Sequence, residues 1–295
     1  MSNFNLKYFN KRLSNTLIGT ILLILTYLFF SVMELTAKEL ALRFNPFLIV
    51  FARYLSQLIL LLIIFNKQFK THLKSNHKPL QILRGALLMI TTCFMFTGLA
   101  YLQFAENISI YMIGPVITTI LAILILKEKI SFTQILVVII GLIGALIIAS
   151  PNKGAFNYAV IFPFLAALCF AFFTISTKFL NTSDSNQTTL LFTAITGTIL
   201  SLPFIIYFWK WPNLYDTLLM FCLGFLATAG HFLFIEALKV ISASFAAPFV
   251  YLTVLLAAFW GYILYNEVPS QNTFIGAFLI ITSGFIITRF KKKIH

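Results

Sequence analysis

Long apolar runs separated by short polar breaks recur along the whole chain. A bilayer span needs about 20 apolar residues, and ten runs qualify: roughly 17–37, 46–65, 82–101, 106–126, 132–150, 156–178, 188–208, 214–237, 243–264 and 271–288. The runs are too long and too unalternating for barrel strands, and a bare backbone crosses hydrocarbon only as helix or closed barrel. The predicted fold class is therefore all-α integral membrane, with ten transmembrane helices.

One stretch of this pattern is written twice. From Ser109 to Ile148 two apolar runs flank a charged turn, Lys127-Glu128-Lys129, and Ser131 with Gln134 forms an S-x-x-Q capping box at the second run. Phe249 to Ile287 repeats the arrangement, with Glu267 and Ser270 in the places of Glu128 and Ser131. The same register, an offset of 139 or 140, pairs Thr36-Ala37-Lys38 with Ser176-Thr177-Lys178 and Gly85 with Gly224. The turn cluster Ser150 to Gly154 divides the chain into repeats 1–150 and 151–295. Five spans per repeat is an odd number, so the second repeat enters the bilayer from the opposite side. Inverted repeats with interrupted helices are the usual build of secondary transporters.

Composition agrees with the pattern: 60% hydrophobic residues, 10% charged, mean hydropathy +0.96. The net charge of +13 does not signal nucleic acid, because the basic residues sit between spans. With the N-terminus inside, sixteen Lys and Arg fall on inner segments and four on outer ones, Arg84 being counted among the inner sixteen. The positive-inside rule then places both termini in the cytoplasm. Cys93, Cys169 and Cys222 lie in apolar spans and imply no disulfide framework. The apolar run at the start is too long for a cleaved signal.

Candidate chemistry is what remains polar at membrane depth. Glu34 and Arg53 each cost about 2.5–3.5 kcal/mol on insertion scales at a helix centre, an expense that usually marks function. Glu34 shares one helical face with Thr20, Tyr27, Ser31 and Lys38. A pairing of Glu34 with Lys38, a snorkelling Arg53 and a packing role for His231 stand as the structural alternatives. Substrate-binding candidates are Tyr27, Glu34, Arg53, Tyr111, His231, Tyr251 and Tyr262, the tyrosines for stacking and cation–π attraction. Gly114, Pro115 and Pro248 are candidate hinges, since a proline frees a carbonyl and bends a helix. No nucleophile triad, metal-ligand cluster, Walker loop or dinucleotide fingerprint occurs. The expectation is no enzyme, no cofactor and no nucleic acid, with a small-molecule substrate and membrane lipid as partners.

Several further residues carry a resemblance. Pro46 is followed by Arg53, and Pro115 by Glu128 and Ile130-Ser131. Ala246-Ala247-Pro248-Phe249-Val250-Tyr251 precedes Gly261, Glu267-Val268-Pro269, Gly276 and Gly284. Over nearly its whole length the chain resembles the drug/metabolite transporter superfamily in its ten-span EamA branch. It departs from strict repetition at Val254, opposite Pro115, and at Val137, opposite Gly276. The resemblance implies transport of a small organic solute without ATP. Sixteen lysines against five arginines, with 34 phenylalanines, point to an A+T-rich genome. In that setting the chain is similar to the S-adenosylmethionine uptake transporters of rickettsia-like bacteria, which implies a bacterial inner-membrane protein that takes up that cargo. Exchange for S-adenosylhomocysteine, the product of methylation inside the cell, is the expected mode of transport. A proton-coupled exporter of amino acids or drugs, a channel, a membrane-embedded enzyme and a lipid-linked sugar flippase are the competing readings.

Overall fold

The computed structural model describes residues 2–101, 104–149, 158–265 and 271–290. Apart from short turns of helix at Asn66–Gln68, Phe69–His72 and Tyr158–Val160, they form ten main helical elements: α1 (Ser2–Ala41), α2 (Pro46–Phe65), α3 (Lys78–Tyr101), α4 in two pieces (Phe104–Tyr111 and Gly114–Leu124), α5 (Phe132–Ala149), α6 (Ile161–Leu180), α7 (Asn186–Phe208), α8 (Leu214–Val240), α9 and α10 (Gln271–Phe290). α9 opens as Ala243–Ala246, tightens into a 3₁₀ stretch over Ala247–Tyr251 and continues as Leu252–Tyr265. Among the described residues seven helices are long and apolar enough to cross a membrane, and Gly114–Leu124, Phe132–Ile147 and Phe274–Ile286 are shorter apolar helices. No strand occurs among the described residues.

Local chemistry sets the helix starts. Asn45 caps α2 by accepting from the Phe47 N–H at 3.0 Å, with Pro46 at a first-turn position where no donor is needed. Ser185 caps α7 and Asn213 caps α8 in the same manner. The Ser131–Gln134 box closes in both directions at the start of α5, at 3.2 and 2.9 Å. Large exposed apolar side chains such as Ile63, Ile206 and Phe278 suit contact with lipid. The Ser150–Gly154 turn, Glu267 and Ser270 lie outside the described residues.

The packing has a pseudo-two-fold. α1 lies along α8 as α6 lies along α3, and α2 meets α8 as α7 meets α3. α5 pairs with α10, and α2 with α7. Exchanging each helix with the one five places on returns each of these pairings. Glycine contacts fix the register of the exchange. A Cβ at Gly85 would stand 2.8 Å from Thr196 Cβ, and one at Gly224 would stand 2.5 Å from Ser56 Cβ. Gly85 and Gly224 are 139 positions apart, and Ser56 and Thr196 are 140 apart. The N-caps Asn45 and Ser185 also differ by 140. The offset is thus 140 through α1 and α2 and 139 from α3 onward, and residues so related are called mates below. Small residues at the mated crossings let the backbones approach, the ordinary device of helix packing in lipid.

Two sequence expectations change. The fourth span is not continuous over 106–126 but is interrupted at Met112 and Ile113, with Pro115 in the first turn of the second piece. Arg84 is not a loop charge. α3 begins at Lys78, so Arg84 falls nearly two turns inside the helix, where it is fully buried.

Candidate functional site: a charged cavity between the repeats

The broken helices α4 and α9 flank a cavity of ≈ 420 Å³, within the roughly 300–1,000 Å³ typical of small-molecule sites. Its walls come from α1, α2, α3, α4, α6, α8 and α9. Lys38, Ala41, Leu42 and Pro46 line one end at the α1–α2 turn, where Leu42 is exposed. Phe170, His231 and Val250 line the other end. No residue of the α2–α3 or α6–α7 connections is in the lining. The cavity therefore reaches the surface on one side of the molecule.

Arg53 is the central polar group of the cavity. It is buried, and its Nη1 donates to Thr92 Oγ1 and its Nη2 to His231 Nε2, both at 2.9 Å. Thr92 can accept because its own proton goes to the Leu88 carbonyl at 2.9 Å. A guanidinium only donates, so His231 Nε2 must be bare and the ring neutral with its proton on Nδ1. Neither Arg53 Nε nor His231 Nδ1 has a hydrogen-bond partner. No carboxylate neutralises Arg53 among the described residues. Of its five N–H groups three remain free to donate, enough for a bidentate carboxylate.

Thr92 and His231 are mates, 139 positions apart. The Arg53 guanidinium therefore bridges an exchanged pair and sits at the pseudo-two-fold axis.

The opposite charge comes from α1. Glu34 lines the cavity and makes no hydrogen bond or ion pair among the described residues, so the expected alternative of a Glu34–Lys38 pair is not realised. Tyr27 and Phe30 from the same helix and Tyr111 and Phe170 from α4 and α6 add aromatic surface, with Tyr111 and Phe170 rings 6.0 Å apart. Phe30 also lies 4.8 Å from the His231 ring.

Of the residues singled out from sequence, Tyr27, Glu34, Arg53, Tyr111 and His231 come together in this lining. Tyr251 does not: its ring packs on Gly141 and its hydroxyl donates to the Val138 carbonyl at 3.0 Å, which ties α9 to α5. Tyr262 is exposed on the outer surface of α9. Gly114 and Pro115 open the second piece of α4 and Pro248 lies in the 3₁₀ stretch of α9, so the hinge candidates mark the two helix interruptions.

The lining also holds groups that the sequence reading did not assign. Thr91, Thr92, Met33 and Met95 belong to it, as does Asn107, whose Nδ2 donates to the Met95 carbonyl at 3.3 Å while Oδ1 lacks a partner. The Asn107 amide lies where a Cβ on residue 98 would be, so only glycine fits at Gly98. An amide interrupting an apolar run seven residues before Gly114 was the available signal.

The side away from the opening is bonded shut. Glu128, in the turn between α4 and α5, accepts from the Ala243 and Ser244 N–H groups at 2.9 and 3.1 Å and from Ser244 Oγ at 2.6 Å, capping the start of α9 in the other repeat. Lys178 donates to the Leu238 and Ile241 carbonyls, both at 2.5 Å.

Comparison with known proteins gives this architecture a family. The EamA-like transporter family model matches residues 17–150 and again 157–289. An S-adenosylmethionine uptake transporter of Rickettsia prowazekii is 28% identical over 96% of this chain and 97% of its own. One from Rickettsia bellii is 30% identical over 88% and 89%. A solved protein crystal structure, 16% identical, superposes with a TM-score of 0.78 over 92% of this chain and 96% of that one. Twofold matching of the family model, covering nearly all of the duplicated, helical, cavity-bearing chain, establishes that this protein is a membrane transporter of the EamA-like family.

Proposed function

We propose that the protein takes up S-adenosylmethionine in exchange for S-adenosylhomocysteine, with both termini in the cytoplasm and the cavity opening outward. Repeats 1–150 and 151–295 would be the units that rearrange. One observation carries the reading: a guanidinium and a carboxylate, neither of them in an ion pair among the described residues, face the same aromatic cavity. A solute bearing both a cation and a carboxylate neutralises both. S-adenosylmethionine has a sulfonium for Glu34 and the rings of Tyr27 and Tyr111, an adenine for stacking, and a carboxylate for the free N–H groups of Arg53. His231 holds Arg53 in place rather than carrying a proton, because accepting from a guanidinium requires the neutral ring. The relatives named as S-adenosylmethionine uptake transporters support the same cargo.

The product of methylation inside a cell differs from the cargo by one methyl and one charge, so it serves as counter-substrate without an ion gradient. Proteoliposomes preloaded with S-adenosylhomocysteine are expected to take up labelled S-adenosylmethionine saturably, faster than empty ones, and at a rate indifferent to a pH gradient. Absence of uptake would rule out the cargo. Uptake that needs a pH gradient but not preloading would replace exchange by proton symport.

A further inference from the structure

Arg84 is the second buried guanidinium of the bundle, and its surroundings repeat those of the cavity. Its Nε donates to Thr177 Oγ1 at 2.6 Å, and its Nη1 to Thr193 Oγ1 at 2.5 Å and to the Thr189 carbonyl at 3.5 Å. Its Cζ lies over the Phe173 ring, 4.3 Å from the centroid. Phe173, Thr177, Thr189 and Thr193 are the mates, 140 positions on, of Met33, Ala37, Ile49 and Arg53. All four of those mates line the cavity. Arg84 therefore fills the cavity's inverted image, in the half of the bilayer away from the opening. On α3 it stands eight residues before Thr92, about 12 Å along the helix at 1.5 Å per residue. Phe173, buried and 5.7 Å from the His231 ring, separates the two arginines.

A structural brace at this position would not need a charge. Arg84 has no carboxylate partner among the described residues, and its Nη2 makes no hydrogen bond. Hydroxyls and a ring replace water only in part around a desolvated guanidinium, so an intramembrane charge kept at this cost marks a pathway. An inverted repeat opens to its second side by giving the image the conformation that the cavity has now.

We propose that Arg84 is a second carboxylate-binding residue, which receives the carboxylate of a zwitterionic solute from Arg53 when the inverted image opens to the opposite side. In that state Thr177 and Thr193 part from the guanidinium and its fork faces the solute, while Arg53 is covered in turn. The inference rests on the cargo reading above, which supplies the carboxylate.

Sidedness tests it. In oriented proteoliposomes exchanging S-adenosylmethionine, Arg84→Gln is expected to raise the half-saturation constant about tenfold on the side of the α2–α3 connection and to leave that on the α1–α2 side within about twofold, the size of one lost charge-assisted contact. Arg53→Gln shows the larger shift on the α1–α2 side. Arg84→Lys keeps the charge for folding but loses the fork, and should give the same one-sided pattern with a smaller shift. Equal shifts on both sides, an unchanged constant with only a slower rate, or failure of both Arg84 variants to insert would make Arg84 a packing residue and overturn the proposal. If the unaltered protein moves no S-adenosylmethionine, the cargo reading fails first and this inference falls with it.

Discussion

Met33, Ala37, Ile49 and Arg53 stand around open space, whereas their mates Phe173, Thr177, Thr189 and Thr193 close around Arg84. The backbone plan of the two regions is shared, since the helix neighbours and the glycine crossings exchange in register. Side chains make the difference. Where water or a solute reaches the site, methionine, alanine and isoleucine suffice and the guanidinium is contributed by the repeat position itself. In the collapsed copy a guanidinium from α3 must be satisfied by protein, and three threonines do this with two hydroxyls and one carbonyl. Symmetric residues build the scaffold, and the unshared ones tell its two faces apart.

The strongest way to break this comparison is to remove the charge from the open copy. Arg53→Gln is expected to weaken binding of S-adenosylmethionine and S-adenosylhomocysteine alike, by about 10–100-fold, the range for hydrogen bonds to a charged group. Glu34→Gln should cost the sulfonium ligand about tenfold and leave the neutral thioether within about twofold. Calorimetric titration of both ligands decides, and proportionate losses in the two variants would withdraw the division of labour.

The scaffold can be tested at the mated glycines. A Cβ at Gly224 meets the α2 backbone, 2.6 Å from the Gln57 nitrogen, while one at Gly85 meets only the Thr196 side chain. Gly224→Ala should therefore destabilise by about 1–3 kcal/mol and lower the melting temperature in detergent more than Gly85→Ala. Equal melting temperatures would mean that the two crossings yield equally, and that the packing is more symmetric than the coordinates.

A smaller effect is expected at the helix interruption. Pro115→Ala allows the two pieces of α4 to join across Met112 and Ile113, and exchange should slow about three- to tenfold, roughly 1 kcal/mol on the barrier, with half-saturation unchanged. Unaltered turnover would leave the break as a feature of packing only.

The fold was legible because lipid makes simple demands: apolar length, caps at Asn45 and Ser131, and a repeat long enough to count. Part of the site was legible for the same reason, since Glu34, Arg53 and His231 are costly at membrane depth. Tyr251 and Tyr262 were grouped by helical spacing alone, but that face of α9 meets α5 at Tyr251 and is exposed at Tyr262. Periodicity gives a helix its faces without naming its neighbours. Arg84 was hidden by position: six residues from Lys78 and next to a basic loop, it reads as a surface charge until the start of α3 is known. Asn107 required a tertiary fact, the glycine on α3 that makes room for it.

The bridge that Arg53 makes between Thr92 and His231 gives the midline of the bundle a handedness. Thr92 and His231 hold exchanged positions, yet one meets the guanidinium with a hydroxyl and the other with an imidazole. The mate of Arg53 is Thr193, which accepts from Arg84 on the far side of Phe173. The backbone's two-fold plan therefore does not extend to its electrostatics, and a solute meets a different arrangement of charge from each side.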